Sequence, residues 1–349
     1  MAGLISMVLL ATICLQERSG TKGETLLVTA KENKSAYATV VTNEEYVDGA
    51  LVLGFSLVSN SLLVRESKVE LVLITPKGRL SNNSIQRLRC AGWNRIVNVS
   101  DLAEYAFLST LRETLNKIHV FGLKNYFRVA LFDSDSIIVR NPDYIFDTPL
   151  PSAEYVAAVR SKKSDYFHTA VMLLVPTARV FNSLLDRLKG EKRLQGQAAR
   201  DGEVIRDYFR NRSVGIDGMF CAPYEWAGRN MNRVTSIHYS GKIKPWTKPL
   251  RLRKGQLNNK DGNGKPLGKA YQFWWHTYEQ LHMRCMRDED EKMFLTLLGI
   301  AVPAVGNPPT RYNSSESVWV MRYTRKSFVQ PIGLLQNLSI YTTQELEAG

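Results

Sequence analysis

Residues 128–142 read RVALFDSDSIIVRNP, and two aspartates, Asp133 and Asp135, interrupt an otherwise apolar run. Val129 to Phe132 lead in, and Ile137 to Val139 lead out. A near-continuous apolar run of this kind belongs to a strand buried on both faces, in a sheet that helices cover on either side. Two carboxylates in such a strand need something that offsets their desolvation.

The flanking sequence supplies the rest of such a sheet. YATVVT (37–42) is β-branched and alternating, which predicts a strand. A helix follows, with Asn43 as its cap, Glu44 and Glu45 in its first turn, and Tyr46, Ala50, Leu51, Leu53, Gly54 and Leu57 at helical spacings. VELVLIT (69–75) predicts a strand, SIQRLRCAGW (84–93) a helix and RIVNV (95–99) a strand. AEYAFLSTLRETLNKIHVFGL (103–123) predicts a helix, and FRVALFD (127–133) a central strand. The β-α-β-α-β order implies an α/β fold with a mostly parallel central sheet flanked by helices. Open sheets of this class bind ligands at the carboxyl ends of their strands, where the two aspartates fall. Further strands are expected at EYVAAV (154–159), TAVMLLVP (169–176) and TSIHYS (235–240). Thr177 caps a helix over ARVFNSLLDRL, 254–268 forms a Gly/Asn/Lys-rich loop, and YQFWWHTYEQLHMRCM forms a packing helix.

The net charge of +13 fits an anionic ligand, although the charges are spread along the chain and a basic solvated surface accounts for most of them. No nucleic-acid-binding signature is present. None of the four cysteines has zinc-ligand spacing, which leaves buried thiols or at most one bridge. The apolar run from Leu4 to Leu15 is too short to span a bilayer and suits a signal-peptide core, although no Lys or Arg precedes it. Six sequons, at Asn33, Asn82, Asn98, Asn211, Asn313 and Asn337, agree with entry into the secretory pathway. The expected organisation is a signal peptide over 1–20, a linker over 21–35, one domain over 36–285, and an extension over 286–349 with no interpretable motif. The mature chain is expected to lack a transmembrane span and to reside in the Golgi or ER lumen, with the cytoplasm as the alternative.

Side chains alternate along an ideal strand, so Asp133 and Asp135 would share a side. Two carboxylates that close need a cation, or one must stay protonated. Hard oxygen ligands suit Mn²⁺, with Mg²⁺ as the other choice. The alternative is that the pair caps the bend at Asn141-Pro142-Asp143. Two enzyme classes use such a triplet. One transfers a sugar from a nucleotide sugar, with a cation on the diphosphate. The other is the aspartyl-phosphate phosphatase class, which Ile137 and the lack of a downstream acidic pair disfavour. In IHYSGKIKPW (237–246), His238 can offer an imidazole to the same cation. Gly241 allows close backbone approach there, and Lys244 can meet a phosphate.

Three separated segments together resemble glycosyltransferase family 8, the glycogenin-like enzymes. They are YATVVTNEEYVDGALVLGFSL, LNKIHVFGLKNYFRVALFDSDSIIVRNPDYIF and HYSGKIKPW, and the resemblance covers about residues 36 to 250. It implies a GT-A-type nucleotide-sugar-binding fold and retaining transfer from a UDP-sugar. It also implies that Val40, Thr42, Asn43 and Tyr46 contact uracil and ribose, with Tyr46 stacked on the base. Lys117 would help hold the donor, and Asp133, Asp135 and His238 would bind Mn²⁺, with Ser134 near the ribose. Gly241 and Lys244 would hold the diphosphate.

Two stretches depart from the family, both in the sugar half of the site. FHTAVM places His168, Thr169 and Ala170 where the family usually has Asn-Ser-Gly or Asn-Ala-Gly. DGEVIRDYF keeps Asp201 but puts Gly202 in the place of a Gln, with Glu203 after it. An oxocarbenium-like donor sugar needs a nearby carboxylate or amide dipole. Asp201 is the expected partner and Glu203 the substitute, unless these acids only favour a helix N-terminus. His168 and Thr169 would face the sugar. No tyrosine matches the family's self-glucosylation site, and Tyr224 in CAPYEW is only a positional candidate. The expected activity is transfer of a hexose or hexuronic acid from a UDP-sugar to a glycan, lipid or protein acceptor. The alternative is a catalytically inactive nucleotide-sugar-binding relative.

Overall fold

A computed structural model describes residues 34–105, 114–160, 166–191, 201–241, 244–247 and 268–285. The expected signal peptide, most of the linker, nearly all of the 254–268 loop and the C-terminal extension lie outside the described residues.

The first described strand is β1 (Ser35–Val40), of which only Ser35 falls in the stretch expected to be linker, and the chain turns through a 3-10 segment, Glu44–Tyr46, into α1 (Val47–Asn60). A short α2 (Leu62–Arg65), β2 (Val69–Pro76), α3 (Asn82–Cys90) and β3 (Arg95–Val99) follow. After the 3-10 segment Thr114–Gly122 come β4 (Val129–Phe132), β5 (Ser136–Ile138), β6 (Val156–Arg160) and β7 (Phe167–Leu174). The described remainder comprises α4 (Ala178–Glu191), α5 (Asp201–Tyr208), β8 (Ser213–Ile216), β9 (Ala222–Pro223), α6 (Tyr224–Ala227), β10 (Ser236–His238) and α7 (Gly268–Cys285).

Seven strands form the main sheet in the order β3-β2-β1-β4-β7-β6-β8. The pairs among β3, β2, β1 and β4 are parallel, as is β6 with β8. Only β7 runs against its neighbours β4 and β6. The expected mostly parallel α/β sheet is therefore observed, with one reversed strand. A second sheet, β5-β10-β9, carries the chain away from the end of β4.

Both faces of the main sheet are covered, which explains the continuous apolar runs. Along β4, Ala130 and Phe132 point into the layer built by α1, α3 and α7. Val129 and Leu131 point into the opposite layer with Leu115, Ile118, Val180, Leu184 and Val204. The described parts of the helix expected over 103–123 are 3-10 rather than α-helical, at Ala103–Tyr105 and Thr114–Gly122. Residues 106–113 lie outside the described residues, and every residue from Leu115 to Phe121 is buried. A segment covered on all sides has no polar face to present to water.

Cys90 at the end of α3 and Cys285 at the end of α7 form a disulfide across 195 positions, which is the single bridge the cysteine count allowed. It ties α7 to the layer that holds α1. Among the described residues, no helix is long and apolar enough to cross a membrane.

Candidate active site

The strand ends at Phe132, and Asp133 to Ser136 make a tight turn rather than continuing the pleat. Asp133 donates its N–H to the Ala170 carbonyl of β7 (2.8 Å), and its own carbonyl accepts from Ser136 N–H (2.9 Å). Asp135 C=O accepts from Tyr239 N–H (3.0 Å), which joins the turn to the strand end that carries His238. The two carboxylates thus meet through a turn, not through strand alternation. One ligand atom from each of Asp133, Asp135 and His238 lies within 4.8 Å of the others.

Two lysines offset the buried charge. Lys117, from the 3-10 segment, places Nζ 2.8 Å from Asp133. Lys244 places Nζ 2.6 Å from Asp135 and donates to the Tyr239 carbonyl at 2.7 Å. His238 Nε2 lies 3.2 Å from Asp135 and 4.0 Å from Asp133. Burial pushes the Asp133 carboxyl up, and Lys117 and His238 only partly oppose it. Burial also acts on Asp135, but His238 and Lys244 outweigh it and hold that carboxyl well below the usual carboxylate range. His238 is raised well above an ordinary histidine, because the Asp135 charge overcomes its burial. The sequence predicted a cation here, and the chain itself brings ammonium groups to both carboxylates. Two carboxylates and an imidazole this close also form a donor set that fits a divalent ion.

On the β1 side, Val40 ends the strand, and Thr42 and Asn43 lead into the 3-10 turn. Asn43 Oδ1 accepts from Tyr46 N–H (3.3 Å), so the expected cap is present. The Tyr46 ring meets Trp246 edge-on at 5.8 Å between centroids, and Lys244 Nζ lies 5.9 Å from its centre. Trp246 in turn packs on Trp274 of α7. The sequence reading missed Gly49 here. A Cβ at Gly49 would stand 2.5 Å from the Ser134 carbonyl oxygen and 2.6 Å from the Trp246 ring. Only the missing side chain lets α1 approach the aspartate turn. Gly241 stands at a bend two residues after Tyr239.

On the β7 side, His168 is exposed at the start of the strand and edge-on to Tyr166. Burial lowers its pKa, and so do the charges of His238 and Arg206. Thr169 is buried, and its carbonyl accepts from Lys117 Nζ (3.4 Å). Asp201 opens α5, and Glu203 is exposed within its first turn. A Cβ at Gly202 would stand 2.6 Å from Arg206 Nη1, so the guanidinium lies across the glycine. Sequence reasoning also missed Cys221, whose Sγ is 3.6 Å from His238 Nδ1. Tyr224 is buried among Tyr239 and Tyr271, which does not suit an exposed sugar acceptor.

The chain is 30% identical to glycogenin-1 of Oryctolagus cuniculus over 233 residues, which is 60% of this chain and 65% of that protein. It is 25% identical to glycogenin-2 of Homo sapiens over 265 residues, 70% of this chain and 50% of that protein. These relatives support assigning the chain to the glycogenin-like glycosyltransferases of family 8. The chain matches no protein-family model. The galactosyltransferase LgtC shares the fold, with a TM-score of 0.54 at 12% identity over 73% of this chain and 99% of that one. This glycogenin-like chain spans half the length of human glycogenin-2 and 62% of human glycogenin-1.

Proposed function

We propose that this chain is a metal-dependent retaining glycosyltransferase that moves a hexose or hexuronic acid from a UDP-sugar to a glycan, lipid or protein acceptor. The observation that carries this reading is the convergence of Asp133, Asp135 and His238 at the carboxyl end of β4, with Lys244 on Asp135. Mn²⁺, or Mg²⁺ in its place, held by those three side chains would neutralise the charge that grows on the departing diphosphate. Lys244 then turns its point charge from Asp135 to a phosphate oxygen, beside the Gly241 bend. Lys117 stays on Asp133 and fixes its orientation. Uracil stacks on Tyr46, with Val40, Thr42 and Asn43 around the base and ribose, and Ser134 faces the ribose. The sugar then lies toward His168 and Thr169. Asp201, with Glu203 as the substitute, supplies negative charge to the oxocarbenium-like sugar. The bond from the anomeric carbon to the phosphate oxygen breaks. The acceptor oxygen bonds the same face of that carbon, and its proton leaves with UDP.

We assign the transferase domain to residues 36–285, after a signal peptide over 1–20, and place the protein in the lumen of the secretory pathway. Two observations support that location. The Cys90–Cys285 disulfide suits an oxidising compartment. The sequon asparagines among the described residues, Asn82, Asn98 and Asn211, are all exposed. A glycosidase-sensitive mass after expression in a secretory host tests it. The activity is tested by a panel of UDP-sugars scored for Mn²⁺-dependent release of UDP. Turnover of at least one donor supports transfer, whereas UDP binding without turnover of any donor, even with candidate acceptors, favours the inactive relative.

A further inference from the structure

The donor reading above fixes which part of the site the sugar meets, and the residues there point to its class. A nucleotide sugar is linear: base, ribose, diphosphate, sugar. The nucleoside residues stand at the end of β1, and the aspartate turn stands at the end of the neighbouring β4. The next strand in that row is β7, whose first residues lie at the same edge because it runs antiparallel to β4. The sugar therefore extends over Phe167-His168, against α5, which packs on β7. Arg206 of α5 waits there. Its guanidinium lies 4.2 Å from the centre of the Tyr166 ring and acts on His168, which also feels His238. A guanidinium stacked on a ring keeps its planar fork of N–H donors, which matches a planar anion such as a carboxylate. Among the described residues, no carboxylate forms an ion pair with Arg206, and the adjacent Asp207 is held by Arg187 and Arg210. The arrangement exists because position 202 is glycine, since any Cβ there would displace the guanidinium.

We propose that Arg206 is a specificity-determining residue whose guanidinium receives the carboxylate of the donor sugar, so that the substrate class is a UDP-hexuronate. This rests on the donor reading above. A neutral hexose would leave the cation stacked on Tyr166 with no anionic partner.

The test is calorimetric competition at saturating Mn²⁺ with UDP, UDP-glucose, UDP-glucuronate and UDP-galacturonate. For the wild type, one of the UDP-hexuronates is expected to bind about tenfold or more tightly than UDP-glucose. Arg206→Leu should collapse that ratio to about twofold or less while leaving UDP affinity unchanged. Gly202→Ala should do the same by pushing the guanidinium aside without removing its charge, and Arg206→Lys should keep only part of the preference. UDP-glucose binding the wild type as tightly as both hexuronates, or a ratio that survives Arg206→Leu, overturns the proposal while the donor reading stands. A wild type that does not bind UDP overturns the donor reading, and the proposal with it.

Discussion

Replacing Lys244 by methionine tests how the buried carboxylates are balanced. Lys244 Nζ lies 2.6 Å from Asp135, and the two side chains are only 10% and 11% exposed. Methionine keeps much of the apolar stem and removes the ammonium. Taking one partner from a buried ion pair costs about 3–5 kcal/mol, because it leaves the other charge uncompensated. Asp135 keeps His238 at 3.2 Å. The expected loss is therefore nearer about 2–3 kcal/mol, which for a large domain lowers Tm by roughly 4–10 °C. The assay is thermal unfolding in EDTA, repeated with excess Mn²⁺. A divalent ion re-pairs Asp135, so the deficit should shrink by more than half in Mn²⁺. A Tm within about 1 °C of wild type in EDTA would refute the buried pairing. An equal deficit with and without Mn²⁺ would refute competition between the ammonium and a metal for Asp135.

Other outcomes follow from neighbouring contacts. Gly49→Ala forces a methyl against the Ser134 carbonyl and the Trp246 ring, so it should cost about 1–3 kcal/mol and weaken UDP binding. Unaltered Tm and UDP affinity would contradict the close approach. Burial, aided by Arg87, depresses His282 to about 4. An unfolded histidine titrates near ~6.5, so between these values the unfolded chain holds the extra proton and stability rises with pH. Stability should therefore fall by up to about 3 kcal/mol as pH drops from ~6.5 to ~4. His282→Phe should flatten that part of the Tm-against-pH curve, and a slope equal to wild type would contradict the buried neutral ring. Reduction of the Cys90–Cys285 bridge should lower stability by about 2–4 kcal/mol in the wild type and by nothing further in Cys90→Ser. A wild type indifferent to reductant would contradict the bridge.

Much of the sheet was legible because burial on both faces writes itself as apolar runs. VELVLIT and RVALF could be little else, and Thr177 announced the start of α4, where its Oγ1 accepts from Val180 N–H (3.2 Å). The reversed direction of β7 was not legible, because TAVMLLVP reads the same in either sense. The segment around Lys117 misled, since Leu115 to Phe121 carry helical spacing yet are wrapped on every side. Within the site, the aspartates and His238 stood out by residue type and position at strand ends, and the fold brings the three together. Their electrostatic partners were not legible, because Lys117 and Lys244 reach them from 16 and 109 residues away. Pairing Cys90 with Cys285 was equally hidden by distance along the chain. Arg206 left one readable trace: a glycine in a helix with an arginine four positions later, where the long side chain can lie over the vacancy.

The central claim is that Asp133, Asp135 and His238 hold a metal on which UDP depends. Titration of UDP into the wild type and into Asp135→Ala, each in Mn²⁺ and in EDTA, tests it most directly. The account predicts that Mn²⁺ tightens UDP binding to the wild type by about tenfold or more and has no effect on Asp135→Ala. Equal UDP affinity in Mn²⁺ and EDTA for the wild type, or a Mn²⁺ effect that persists in Asp135→Ala, would contradict it.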